Sequence, residues 1–144
     1  MKTIALAQLK AISLFVGLCV ALSGCGSEKL AKVAGTVVHK RMPVTGGTLI
    51  FSPMGKTNPG RPASAEINPD GTFVLGTVRT TDGALVGRHR VTFTPPPQQL
   101  TEEQRSNPNY IAPPPAYMGL TPKTAEVEIK TGDNNIEIEL DWNR

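Results

Sequence analysis

Glycine and proline break this chain so often that a long helix has little room to form. They supply 14 and 13 of its 144 residues. Glycine is costly inside a helix and proline removes a helical donor, so an all-helical bundle is excluded. The stretches between these breaks alternate apolar and polar residues with the period of a half-buried strand. Val33, Gly35 and Val37 alternate with Ala34, Thr36 and Val38, and Thr48 to Ser52 is a β-rich run ended by Pro53. Ala63, Ala65 and Ile67 alternate with Ser64 and Glu66, and the Asn68-Pro69-Asp70-Gly71 turn leads to Phe73 and Leu75. This predicts a hairpin over residues 63–76. Arg88 to Thr94 reads as a strand with Val91 and Phe93 inward, and Thr124 to Lys130 with Asn135 to Asp141 gives the strongest hairpin signal.

About seven short strands with no helical crossover predict an all-β fold, an antiparallel Greek-key β-sandwich. Its predicted core is Val33, Val37, Leu49, Phe51, Ile67, Phe73, Leu75, Val91, Phe93, Val127, Ile129, Ile136, Ile138 and Leu140. Between Pro95 and Pro122 strand periodicity is absent, and eight of the 13 prolines fall there. A loop this long inside a compact domain is usually functional or disordered. Thr101-Glu-Glu-Gln104 has the form of a capping box for one helical turn, and Tyr117 and Leu120 are expected to pin the loop's second half to the sandwich, leaving residues 98–109 free.

The first 24 residues follow another rule. Lys2 and Lys10 precede a twelve-residue apolar run, Ala11 to Leu22. A membrane-spanning helix needs about 20 such residues, so the run has the length of a secretory signal core. Leu22-Ser23-Gly24-Cys25 then resembles the bacterial lipobox. The resemblance implies a signal peptide over 1–24, cleavage before Cys25, a diacylglyceryl thioether on its sulfur and an acyl chain on its new amino group. Several acyl chains hold a protein stably at a membrane. Gly26 and Ser27 follow in place of the Asp that marks inner-membrane retention in proteobacteria, which points to the outer membrane. Residues 25–32 form a lipidated tether and 33–144 the domain. Cys19, the only other cysteine, lies inside the leader, so no lasting disulfide partner for Cys25 is expected. Without Lys2 and Lys10 the mature chain has 13 basic and 12 acidic residues. The high pI therefore gives no reason to expect nucleic acid.

Four segments resemble the carboxypeptidase regulatory-like domains, whose fold is the transthyretin-like (prealbumin-like) β-sandwich. They are Val33-Ala-Gly-Thr-Val-Val38, Met42 to Pro53 with its Pro43-Val-Thr-Gly-Gly47, Asp70-Gly-Thr-Phe-Val-Leu75 and Gly83 to Val91. Tyr117-Met-Gly-Leu-Thr121 is similar to a tyrosine segment near the end of a group of planctomycete lipoproteins. His89 stands where the family pattern commonly has Tyr. The resemblance implies the fold more strongly than a function.

Chemistry is sparse. Neither G-x-S-x-G nor H-E-x-x-H occurs. The hydroxyisourate hydrolases that share the fold end in Y-R-G-S, whereas this chain ends Leu140-Asp-Trp-Asn-Arg144. The expectation is a chain that is not an enzyme, with no cofactor and no metal. His39, in a basic turn, and His89, on a strand surface or edge, would need Glu66 or Asp82 nearby to hold a metal. Glu126, Glu128, Glu137, Glu139 and Asp141 are expected on one face of the last hairpin, either laddered with Arg88 and Arg90 or gathered around calcium. Tyr110, Tyr117 and Trp142 are the candidate interaction residues. Together these readings describe a non-catalytic cell-envelope lipoprotein, anchored in a membrane and presenting a sandwich to an envelope protein or as structural support. A carbohydrate- or small-ligand-binding module is the alternative, and a transthyretin-like hydrolase the third reading.

Overall fold

A computed structural model describes residues 29–55 and 60–142, so the leader and Cys25 lie outside the described residues. The chain is all-β: β1 (Leu30–Ala31), β2 (Val33–His39), β3 (Met42–Pro43), β4 (Thr48–Pro53), β5 (Ala63–Glu66), β6 (Thr72–Val74), β7 (Ala84–Leu85), β8 (Gly87–Thr94), helix α1 (Glu102–Ser106), β9 (Leu120–Pro122), β10 (Glu126–Ile129) and β11 (Asn134–Trp142). One sheet runs β10-β8-β4-β5 and is antiparallel throughout. The second runs β3-β2-β11-β9, with β6 also on β2, and β1 and β7 form a small separate pair. Leu30 and Ala31, within the tether by the sequence reading, thus already belong to folded structure.

The sandwich packs one sheet on the other through inward residues at every second position. Twelve of the 14 expected core residues are buried, while Val127 and Ile136 pack half-buried against the cluster. Phe51 of the first sheet and Phe73 of the second meet with ring centroids 6.2 Å apart. Each buried ring contributes roughly 1.5–3 kcal/mol of transfer free energy. Ala31, Val44, Ala63, Ala65, Ala84 and Leu120 complete the core; their small size or short strands gave little periodic signal.

One of the two expected hairpins is a corner instead. Over residues 124–141, β10 pairs with β8 while β11 inserts between β2 and β9, in the other sheet. Alternation reports which face is buried, not which strand is the neighbour, so it could not exclude this arrangement. Asn134 fixes the corner: its side chain accepts from Lys130 N–H (2.9 Å) and donates to Lys130 O (2.8 Å). Over residues 63–76 the hairpin is bonded at both ends, Ser64 and Gly76 exchanging N–H···O bonds at 2.9 and 3.0 Å and Asn68 N–H donating to Thr72 O at 2.9 Å, while β5 also pairs with β4 and β6 with β2. The turn itself is as expected. Asp70 accepts from the Thr72 N–H at 2.9 Å and hydroxyl at 2.6 Å, and Gly71 takes a φ of 83°.

The β2–β11 pair is parallel, over Val33–His39 and Asn134–Leu140. The long connection from β8 to β9 contains α1, whose capping box is formed: Gln104 N–H donates to Thr101 Oγ1 and the Gln104 side chain accepts from Thr101 N–H.

Candidate functional site

The chain leaves β2 at His39, and the end of the second sheet there gathers most of the expected interaction residues. His39 is not in a free basic turn. Its Nδ1–H donates to Leu140 O at 2.8 Å, and the indole of Trp142 meets the imidazole edge-on, 6.2 Å between centroids at 88°. A carbonyl can only accept, so the proton on His39 sits on Nδ1. Met42 of β3 lies opposite His39 of β2, and Trp142 covers the Gly119 position. Met42, Met118 and Trp142 are all exposed.

Tyr117 belongs to the same end. Its φ is 62°, a left-handed conformation uncommon for an aromatic residue, and its hydroxyl accepts from Thr45 N–H at 3.3 Å and lies 3.1 Å from Thr45 Oγ1. With Leu120 buried beside it, Tyr117 ties the second half of the loop to the β3–β4 turn. Tyr110 sits apart and half-buried, its N–H bonded to Asn107 O. Two of the three candidate aromatic residues are therefore brought to one end and the third is not.

His89 is the clearest correction. Expected on a strand surface or edge, it is 1% exposed, pointing inward from β8 in the series Gly87, His89, Val91, Phe93. That alternation was available in the sequence, and the polarity of histidine outweighed it. Nδ1–H donates to Gly87 O at 3.1 Å, and Nε2 has no hydrogen-bond partner among the described residues. Burial pushes the His89 pKa down from 6.5, and the Gly87 hydrogen bond opposes that only in part. Burial therefore favours the neutral form of the ring. It lines a cavity of about 330 Å³ with Lys29, Pro53, Met54, Gly60 and Leu85.

The carboxylates expected on one face are divided between the sheets. Glu126 and Glu128 on β10 face Arg90 and Arg88 on β8, and Arg88 is ion-paired with Glu126. Glu139 on β11 pairs with Lys123 at 3.0 Å, which raises the Lys123 pKa through the hydrogen bond and the charge. Glu128 and Glu137 do not face each other, and the calcium reading loses the cluster it needed. Glu66 and Asp82 do not approach the histidines as ligands: among the described residues no group of three His, Cys, Asp or Glu has metal-holding geometry. Asp82 instead accepts from the backbone of Thr77 (2.6 Å), Val78 (3.1 Å) and Arg79 (2.9 Å), which lowers its pKa.

Sequence reasoning missed a polar groove of about 730 Å³ along β5 and β6, walled by the 77–81 segment. Its floor is the exposed face of β5 and β6, and the 77–81 wall carries no strand period from which it could be read.

No family model matches the chain and no curated protein matches it. Among solved structures, the chain is similar to a DUF3823 family protein from Parabacteroides merdae, at 16% identity and a TM-score of 0.45, over 79% of this chain. The chain corresponds to 47% of that protein's length.

Proposed function

We propose that the chain is a non-catalytic cell-envelope lipoprotein, held in a membrane through Cys25 and presenting its β-sandwich for protein interaction or structural support. The observation that carries this reading is the Leu22-Ser23-Gly24-Cys25 tetrad directly after a twelve-residue apolar run. Cys25 precedes the first strand residue, Leu30, by only five positions. A tether this short keeps the β1–β7 side of the sandwich near the bilayer. Cell-envelope placement on the outer membrane follows the same reasoning, and the carboxypeptidase regulatory-like, planctomycete-type likeness rests on the segments quoted above. The partner-facing surface in this reading is the Tyr117–Trp142 end with its loop, where Met42, Met118 and Trp142 leave apolar area exposed.

The test is acylation in cells fed labelled palmitate. The wild-type protein takes up label and fractionates with membranes, and Cys25→Ser stays uncut and unlabelled. Equal labelling of the variant contradicts the proposal.

A second reading, a small-ligand-binding module, is supported by the groove over β5 and β6, walled by residues 77–81. Carbohydrate fits that groove less well, since among the described residues no aromatic ring lines it for stacking on a sugar.

A further inference from the structure

The two ends of the sandwich differ in kind. β2 and β11 run in parallel away from the end that carries Val33 and Asn134, and they finish at the end that carries His39 and Trp142. From Val33 to His39 the strand covers about 20 Å. The near end is where the chain enters the fold, through the β1–β7 pair.

Apolar side chains gather at that near end. Leu30 stands opposite Leu85, Val86 N–H donates to Lys29 O at 3.1 Å, and Met54 N–H donates to Arg88 O at 2.8 Å. Lys29, Met54, Leu85 and Val86 line one cavity. Leu30, Met54 and Val86 are nevertheless each 39% exposed, and exposed apolar residues clustered inside a polar rim mark a contact surface. The rim is basic. Lys32 O accepts the Asn134 N–H at 2.9 Å and the Asn134 side chain bonds Lys130, which sets Lys32 and Lys130 on either side of Asn134. Lys29, Lys32 and Lys130 are exposed, and among the described residues none of them is in an ion pair. Asp133 shares the corner, and Glu126 and Glu128 face Arg88, so the three lysines are the groups left to meet a phosphate.

We propose that the β1–β7 end docks on the bilayer surface itself, with Leu30, Met54 and Val86 at the headgroup boundary and Lys29, Lys32 and Lys130 on lipid phosphates. Apolar contact and the attraction of lysine to lipid phosphate are the two terms that hold such a surface at an interface. This docking rests on the anchor at Cys25. Five residues span at most about 18 Å, so an acylated Cys25 keeps this end closer to the lipid than the sandwich is long, and supplies the local concentration that a small surface needs. The sandwich then stands upright, with Met42, Met118 and Trp142 facing away from the membrane.

Trp142 is the chain's one tryptophan, which makes the orientation measurable by fluorescence. The full-length lipoprotein is reconstituted in vesicles of phosphatidylethanolamine and phosphatidylglycerol, with and without lipids brominated on their acyl chains, which quench a tryptophan in contact with the bilayer. Wild-type Trp142 is expected to keep its emission with brominated lipid and to lose it to aqueous iodide. Leu30→Trp and Val86→Trp, each combined with Trp142→Phe, are expected to lose emission to brominated lipid and to resist iodide. Omitting phosphatidylglycerol should weaken that loss, and an unchanged loss overturns the lysine contacts. Flotation with the vesicles reads the anchor separately. Protein that does not float overturns the anchor and the docking with it, whereas protein that floats while neither variant is quenched overturns the docking alone. Quenching of Trp142 by brominated lipid overturns the upright orientation.

Discussion

Gly35 of β2 lies so close to Ile136 of β11 that a β-carbon built on it would sit 1.8 Å from the Ile136 carbonyl oxygen. The parallel junction between these strands therefore has no room for a side chain, with the Phe73 ring closing the other side at 3.0 Å. Gly35→Ala must push two backbones apart in the middle of the second sheet. Overpacking of this kind costs about 1 to 3 kcal/mol, and a rigid backbone partner places it at the upper end. Urea denaturation of the variant checks it, and a loss below about 0.5 kcal/mol would mean that the strands are not paired in this register.

His89 makes stability depend on pH in a window of its own. Its folded pKa lies below 6.5, so the unfolded chain takes up a proton that the folded chain refuses. Stability is full above that value and falls as the pH drops below it, levelling off once the folded pKa is passed. Asp70 and Asp82 act lower down. Their hydrogen bonds to Thr72 and to the 77–79 backbone lower their pKa values from 3.8, and the stability they add is lost as pH falls below that value. Denaturation midpoints measured between pH 7 and pH 5 should fall for the wild type and stay nearly flat for His89→Leu. A wild-type midpoint that is flat over that interval contradicts a buried neutral imidazole.

Within the long loop, every residue of α1 is exposed or half-buried, and its own contacts are local. Tyr117 and Leu120 hold the loop's second half, so residues 98–109 carry the fewest long-range constraints. Trypsin at Arg105 and a glutamate-specific protease at Glu102 or Glu103 should make the first cuts in the sandwich domain. Mass mapping of the earliest fragments checks this. First cuts confined to residues 54–62 would place the weakest constraint elsewhere.

How much of this was legible in the sequence divides along a physical line. Inward positions such as Leu49, Phe51, Val91 and Leu140 could be read because burial leaves a period of two in the residues themselves. Strand neighbours left no such trace. Thr131-Gly-Asp-Asn134 reads equally well as a hairpin turn or a corner, and only Asn134 bonded to Lys130, with the parallel seat of β11 on β2, decides between them. The groove over β5 and β6 was hidden for a related reason, since its wall, residues 77–81, carries no strand period. His89 was the reverse case: its position in the alternation was plain, and its chemistry argued against a place inside.

The central claim is an anchor at Cys25, and the most direct measurement is the mass of the N-terminal peptide of the protein extracted from membranes. The account predicts a peptide that begins at Cys25 and carries the added mass of a diacylglyceryl group and an N-linked acyl chain. A peptide that begins at Met1, or one that contains Cys25 as a free thiol, would contradict it.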